Sequence, residues 1–326
     1  MDVLSELLRV VRLDGAVFYN AEFSSPWSVY SPPSHCVAPY LKRDAGHVII
    51  YHLLTEGHAW ARLENGDRVP LQAGDVVIFP HGDPHYMGNG AHTTPVDYGK
   101  ELERILSQGL RVDRQGGGGE LTKLICGFMT CEPRLCQVLL GGLPSVFKVN
   151  IREDPAGEWL ENSIRFSVAE ASASRAGSEV VLAKLSEALF VETLRRYIAR
   201  LPGDQTGWLP GARDPEVGKA LALLHRFPAR SWTIADLARE VGTSRSVLAE
   251  RFRLYLGQPP MTYLTQWRLQ LGAQMLTSTS HSAAQVAVEV GYESEAAFNR
   301  AFKRAFGLPP ARFRNHSRKL PAEQIA

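Results

Sequence analysis

Residues 235–260 read ADLAREVGTSRSVLAERFRLYLGQPP, and residues 284–310 read AQVAVEVGYESEAAFNRAFKRAFGLPP. The second stretch repeats the first. Ala235 and Gly242 match Ala284 and Gly291, and after the turn Phe252 and Pro259 match Phe302 and Pro309 with the register moved on by one residue. The added residue falls in the second turn, where extra length does least harm. In each copy an apolar-periodic helix (Ile234, Leu237, Ala238, Val241; then Val286, Ala287, Val290) runs into a glycine able to take the left-handed conformation of a helix end. Ser244 and Ser294 follow as N-caps of a second helix. Two helices joined by so short a turn form a helix-turn-helix, and the chain carries the unit twice.

Helical periodicity then separates buried from outward positions. In the second copy Phe298, Ala301, Phe302 and Ala305 make a buried stripe, which turns Glu295, Ala296, Asn299, Arg300, Lys303 and Arg304 outward. In the first copy the stripe is Leu248, Phe252 and Tyr255, which leaves Arg245, Ser246, Ala249, Glu250 and Arg253 outside. Such a second helix fits the major groove of double-stranded DNA, where Arg reads guanine, Asn adenine and Glu cytosine. The base-reading set is therefore Arg245, Ser246, Ala249, Glu250, Glu295, Ala296, Asn299 and Arg300, led by Arg300, Asn299 and Glu250. Arg253, Lys303 and Arg304 are placed on phosphates, a role Arg245 also suits. A plain solvated helix face is the alternative for one copy; two copies in register argue against it.

From about Glu216 to Arg314 the chain resembles the DNA-binding domain of AraC/XylS-family transcription regulators. The resemblance rests on Val290-Gly291-Tyr292-Glu293-Ser294, continuing through Phe298, Arg300, Phe302, Lys303, Phe306 and Gly307 to Pro309-Pro310. It implies two helix-turn-helix units joined by a long helix from about Met261 to Thr279, set into successive major-groove segments about 34 Å apart. Ala249 and Glu250 stand where members of the family often carry longer or basic readers, so the first unit is expected to read less than the second.

Charge is distributed unevenly. From Pro215 onward there are 15 Lys and Arg against 8 Asp and Glu, a net of +7; the remainder carries 21 against 26, a net of −5, and the whole chain is +2. A basic C-terminal part beside an acidic N-terminal part assigns phosphate contact to the former, with affinity falling steeply as salt rises. A length of 326 residues suggests about two domains. Residues 1–11 read as an amphipathic helix broken by Asp2, Glu6 and Arg9. Neither a signal peptide nor a membrane span is read, so a cytoplasmic location without a membrane partner is expected.

The N-terminal part reads as β-structure, with short apolar runs at 15–18, 47–54, 57–63, 69–71, 76–79 and 121–127 divided by turn residues. Residues 74–89 (GDVVIFPHGDPHYMGN) resemble the second cupin motif at every position, which implies a hairpin at the mouth of a jelly-roll barrel with His85 aimed at the cavity. The first cupin motif is degraded: Ile50 stands at its Glu position and no His-x-His precedes it. His52 shares strand parity with Ile50, and His35, His58 or His81 could join it and His85 around a metal. Orientation of a small ligand is the competing use of these histidines, and no metal, cofactor or catalytic residue is assigned. In the AraC/XylS family a cupin-like half senses effector and dimerises; the resemblance extends more loosely to about residue 150. It implies a small-molecule pocket lined by Tyr51, His52, Trp60, Phe79 and His85.

Cys36, Cys126, Cys131 and Cys136 are too few for a secreted disulfide framework and read as reduced structural thiols, with oxidant sensing through Cys126 or Cys131 as the sharper alternative. Pro133 breaks any strand or helix running from Cys131 to Cys136. The loop 115–120 lacks the Lys-Ser/Thr ending of a phosphate-binding loop. Two helices between Trp159 and Leu201 divide at Ala176-Gly177, and the apolar stripe of the second (Val181, Leu182, Leu185, Leu189, Val191, Leu194, Ile198) suits either a dimer seam or packing on the barrel.

The organisation expected is α+β and multidomain: a cupin-like β jelly-roll with helices over 1–150, a helical connecting or dimerising segment over 151–201, a linker over 202–215, an all-α double helix-turn-helix domain over 216–314 and a tail over 315–326. The function expected is an effector-responsive, homodimeric transcription regulator that meets RNA polymerase if it activates. A metal-dependent cupin enzyme fused to a DNA-binding domain is the alternative.

Overall fold

The computed structural model describes residues 2–11, 13–41, 47–91 and 93–317, so most of the C-terminal tail lies outside the described residues. In chain order the elements up to residue 200 are α1 (Val3–Val10), β1 (Asp14–Ser24), β2 (Trp27–Ser31), α2 (Ser34–Leu41), β3 (His47–Glu56), β4 (His58–Leu63), β5 (Val69–Gln72), β6 (Asp75–Phe79), β7 (His85–Asn89), β8 (Val96–Asp97), α3 (Tyr98–Gln108), β9 (Asp113–Gly116), β10 (Leu121–Cys131), α4 (Pro133–Leu140), β11 (Phe147–Asn150), α5 (Pro155–Ser172) and α6 (Ser178–Ala199). There follow α7 (Trp208–Arg213), α8 (Pro215–Arg226), α9 (Ile234–Val241), α10 (Arg245–Leu256), α11 (Pro260–Ser278), α12 (Ala283–Glu289), α13 (Glu295–Phe306) and α14 (Pro310–Ser317). They form two compact units. One comprises Leu13–Cys131 and Leu143–Arg200; the other gathers Met1–Arg12, Glu132–Gly142 and Leu201–Ala326.

The β-rich unit holds two sheets, ordered β11-β6-β3-β10-β1-β9 and β5-β4-β7-β2-β8. Pairing is antiparallel except where β9 runs beside β1 and β8 beside β2. Alternate residues of β1 (Tyr19, Ala21, Phe23), β3 (Ile50, Leu54) and β10 (Leu124, Cys126, Phe128) meet Ala59, Ala61, Phe79 and Met87 in the core. On β3 the intervening residues Ile49, Tyr51 and Leu53 are buried as well, because helices cover the other face of the large sheet. α6 supplies that cover with Leu182, Leu189, Leu194 and Ile198, so most of its apolar stripe is spent on the barrel, while Val181, expected in the stripe, is exposed. Gly15 permits the approach: a Cβ there would lie 2.8 Å from the Cβ of Ser186. α5 keeps an outer face with Trp159 and Phe166, 65% and 64% exposed.

In the helical unit the caps read from the sequence are in place. Thr233 Oγ accepts from the Asp236 N–H, Ser244 Oγ from Val247 and Ser294 Oγ from Ala297. Ser282 and Gln285 form a full capping box at the start of α12. Gly242 and Gly291 hold φ of +90° and +89° after the first helix of each unit, values that strain any other residue. Pro260 and Pro310 then open α11 and α14. α7 lies within the segment 202–215, and its Trp208 is buried against Tyr263 and His225. α1 and α4 also belong to this unit.

Candidate nucleic-acid interface and barrel cavity

Packing of each helix-turn-helix fixes which side chains reach solvent. On α10, Leu248 and Phe252 are fully buried and Tyr255 is half-buried, so Arg245, Ser246, Glu250 and Arg253 are exposed and Ala249 half-buried. On α13, Phe298, Ala301 and Phe302 are buried, which exposes Glu295, Ala296, Arg300, Lys303 and Arg304. Ala305, expected in the buried stripe, is exposed. Phe306 takes the place, packing on Phe302 and Phe313 at 4.5 and 5.4 Å between ring centres. Asn299 is half-buried, and its Oδ1 has no hydrogen-bond partner among the described residues.

Several arginines of this unit are charge-paired within it. Arg251 is held by the carboxylate of Asp214, Arg239 by Asp236 and Arg230 by Glu240. Among the described residues Arg245, Arg253, Arg300, Lys303 and Arg304, on α10 and α13, carry no ion pair; elsewhere in the unit Arg213, Arg268 and Arg314 also lack one but bond backbone carbonyls, and Arg312 is unpaired as well. Unpaired cations on the two N-capped helices are the charge distribution that a phosphate backbone takes.

The barrel interior is governed by a chain of hydrogen bonds. His85 Nδ1 lies 2.9 Å from the backbone carbonyl of Asp83, an acceptor only, so Nδ1 carries the proton and Nε2 is an acceptor. His52 Nε2, 2.9 Å from His85 Nε2, must then donate, which leaves His52 Nδ1 to accept from the thiol of Cys126 at 2.8 Å. One carbonyl thereby sets both tautomers. Burial pushes His85 down to about 4 and His52 well below its ordinary range, with His85 adding to the second shift. Burial pushes the Cys126 thiol up. The three groups are neutral at pH 7.

Cys126 and His52 open onto a cavity of about 40 Å³, lined otherwise by Phe18, Tyr19, Ser31, Pro32, Val37, Leu41, Ile50, Tyr98, Leu102 and Ile105. Tyr19 donates to Asp113 Oδ2 at 2.7 Å and so accepts from Tyr98 at 2.9 Å. Burial opposes the charge on Asp113, but hydrogen bonds from Tyr19, Arg104 and Gln115 hold its carboxyl below the usual range. Tyr19 and Tyr98 were missed in the sequence. Tyr19 shares parity with the buried Ala21 and Phe23 on β1, a signal lost when the strand is read as ending at Phe18.

The expected pocket residues divide. His52, Phe79 and His85 come together, with Phe79 stacked on His85 at 3.6 Å between ring centres. Tyr51 lies on the opposite face of β3, its hydroxyl 2.7 Å from Ser186 Oγ on α6. Trp60 points outward from the small sheet, under the guanidinium of Arg68. The further histidines do not converge on the pair. His35 is exposed, His58 bonds Glu120 and His81 bonds the Leu143 carbonyl. Cys126 meets the far ring nitrogen of His52, so no three donors share a centre among the described residues. The thiols are also corrected: Cys131 and Cys136 are disulfide-bonded, while Cys36 and Cys126 are free. Glu132, the N-cap of α4, with Pro133 opening the helix, ends the strand between the two.

Comparison with known proteins agrees with both halves. Residues 2–199 match the family described as Cupin, and residues 237–316 match the one described as Helix-turn-helix domain. An AraC-like transcription regulator of Streptomyces lividans is 31% identical over 97% of this chain and 99% of its own length. The regulator AlkR of Acinetobacter baylyi is 30% identical over 97% and 100%, and the RCS-specific activator RclR of Escherichia coli 27% identical over 98% and 99%. No helix among the described residues is long and apolar enough to cross a membrane. With a two-sheet cupin half, two capped helix-turn-helix units and full-length relatives of the same kind, the chain belongs to the AraC family of DNA-binding transcription regulators.

Proposed function

We propose that the chain binds a two-part operator and that occupancy of the barrel cavity sets how strongly it does so. The observation that carries this reading is the pairing pattern of the helical unit, where every cation of α10 and α13 except Arg251 lacks an ion-pair partner among the described residues. Arg300, Asn299 and Glu250 read bases from those helices, with Arg245, Ser246, Ala249, Glu295 and Ala296 on the same faces. Arg253, Lys303 and Arg304 hold phosphates. An effector reaching His52, Cys126 and the Tyr19–Tyr98 pair would have differential affinity for two conformations and shift their populations. At about 40 Å³ the cavity has room for only two or three waters, so the effector-bound state is the more open one.

One distance favours a second mode of control. Cys126 Sγ sits 2.8 Å from His52 Nδ1, so two-electron oxidation of this thiol by a peroxide, giving the sulfenic acid and releasing water, replaces the S–H donor that ends the histidine relay with a bulkier S–OH. Cys131, already disulfide-bonded, does not serve that role.

Homodimerisation is assigned to α5. Trp159, Asn162, Phe166 and Ala169 follow heptad spacing along its exposed face. A two-fold antiparallel pairing sets Trp159 against the partner's Phe166 at both ends. A regulator that activates would present RNA polymerase with a surface beside the operator.

The test is recovery of genomic fragments by the purified full chain at near-physiological salt. A recurrent two-part site beside a promoter supports the reading. Binding that is sequence-blind overturns it.

A further inference from the structure

The outer face of the small sheet carries features that DNA reading and the barrel cavity leave unused. Cross-strand pairing aligns Ser28, Gly88 and Trp60 in one row and Tyr30, Tyr86 and Arg62 in the next. Partners in a row share a face, and the inward positions are taken by Val29, Ala59, Ala61 and Met87. Gly88 lets the indole lie across β7, since a Cβ there would stand 2.7 Å from Trp60 Cζ2 and from the Trp27 carbonyl oxygen.

Two guanidiniums cover these rings. Arg62 lies 4.2 Å over the centre of Tyr86, and Arg68 4.2 Å over Trp60. A stacked guanidinium is fixed in plane and directs its N–H groups sideways, a geometry matched to carboxylate. Arg62 spends Nη1 on the carbonyls of Leu63 and Glu64, at 3.3 and 2.8 Å. Arg68 makes no hydrogen bond or ion pair among the described residues. The concavity between them is about 420 Å³, lined by Ser28, Trp60, Tyr86, Ala91, Thr93 and Pro95 besides the two arginines, with no acidic side chain among them. This is the size of a small-molecule site. Two polar atoms of its lining, Trp60 Nε1 and Thr93 Oγ1, are buried without a partner among the described residues. Buried polar groups are seldom left so.

We propose that this face is a second ligand site, separate from the barrel cavity, for a small organic carboxylate with an apolar body. The carboxylate lies between the N–H edges of Arg68 and Arg62, and the body rests against Pro95, Ala91 and the edge of the Trp60 indole.

Titration calorimetry on the full chain tests it with benzoate, its neutral counterpart benzyl alcohol and inorganic phosphate. The expected result is one benzoate per chain, no measurable heat from benzyl alcohol, and affinity at least about tenfold weaker in Arg68→Met at an unchanged melting temperature. Trp60→Ala is expected to weaken benzoate as well, whereas His52→Gln, inside the barrel, is expected to leave it alone. Absence of benzoate binding, equal affinity in Arg68→Met, or binding of phosphate in preference to benzoate would overturn the proposal.

Discussion

The Nε2 atoms of His52 and His85 face each other at 2.9 Å inside the barrel, and the contact is a hydrogen bond only while both rings share one proton between them. A second proton there would set two donors face to face and put a positive charge in a buried site.

Stability should therefore fall as pH drops. An imidazole kept neutral in the fold gains a proton on unfolding, so each contributes stability that is full above the unfolded value near 6.5 and lost as pH falls toward the folded value. For His85, at about 4, the loss amounts to about 3 kcal/mol by pH 4. His52 adds in the same direction. In the helical unit His225, buried against Trp267 and at about 3, does the same there. Urea unfolding between pH 7.5 and 4.5 checks this; a stability that holds level through pH 6.5 to 5 would contradict it.

Asp214 joins two roles in one carboxylate. It accepts from the N–H groups of Glu216 and Val217 at the start of α8 and holds Arg251 on α10. Asp214→Ala is expected to lower the stability of the helical unit by about 1–2 kcal/mol, the range for a lost N-cap. Asn, which keeps the cap and drops the charge, should recover part of it. Equal losses in the two variants would remove the cap from the account.

Arg300 and Lys303 sit on one exposed face of α13 and should fail differently. Arg300→Ala is expected to cost about 1–3 kcal/mol on the specific site and to relax preference at one base pair. Lys303→Ala should weaken all sequences alike and reduce the salt dependence by about one ion. Binding of both variants to a site and to single-base substitutions of it distinguishes them. If Arg300→Ala weakens every sequence equally, it is a phosphate contact.

Trp159 and Phe166 on α5 test the proposed dimer. Charged replacement of both, Trp159→Asp with Phe166→Asp, should shift the sedimenting species from dimer to monomer without changing helix content. An unchanged dimer would move the interface off α5.

Much of this was legible because its signals are local. Gly242, Ser244, Gly291 and Ser294 mark helix ends by backbone chemistry, and the structure uses each one so. The segment 74–89 likewise carries its turn with it: Gly82, at φ +68°, closes onto Phe79 and Ser34. What failed depended on which way a strand faces. Tyr51 and His52 are neighbours that point to opposite sides of β3, and Trp60 leaves the cavity by the same alternation. The burial of β3 on both faces hid that parity, because an apolar run covered by core and helices shows no period. The role of α6 was settled only by what lies beneath it, since a stripe of leucines reads the same whether it meets a sheet or a second chain.

The most direct test of the central claim is hydroxyl-radical footprinting of the purified chain on its recovered operator, with Arg300→Ala and Glu250→Ala beside it. Two protected segments about one helical turn apart are predicted, the segment under α13 fading in Arg300→Ala and the one under α10 in Glu250→Ala. A single protected segment, or protection equally lost from both ends in either variant, would contradict the placement of two reading helices in successive grooves.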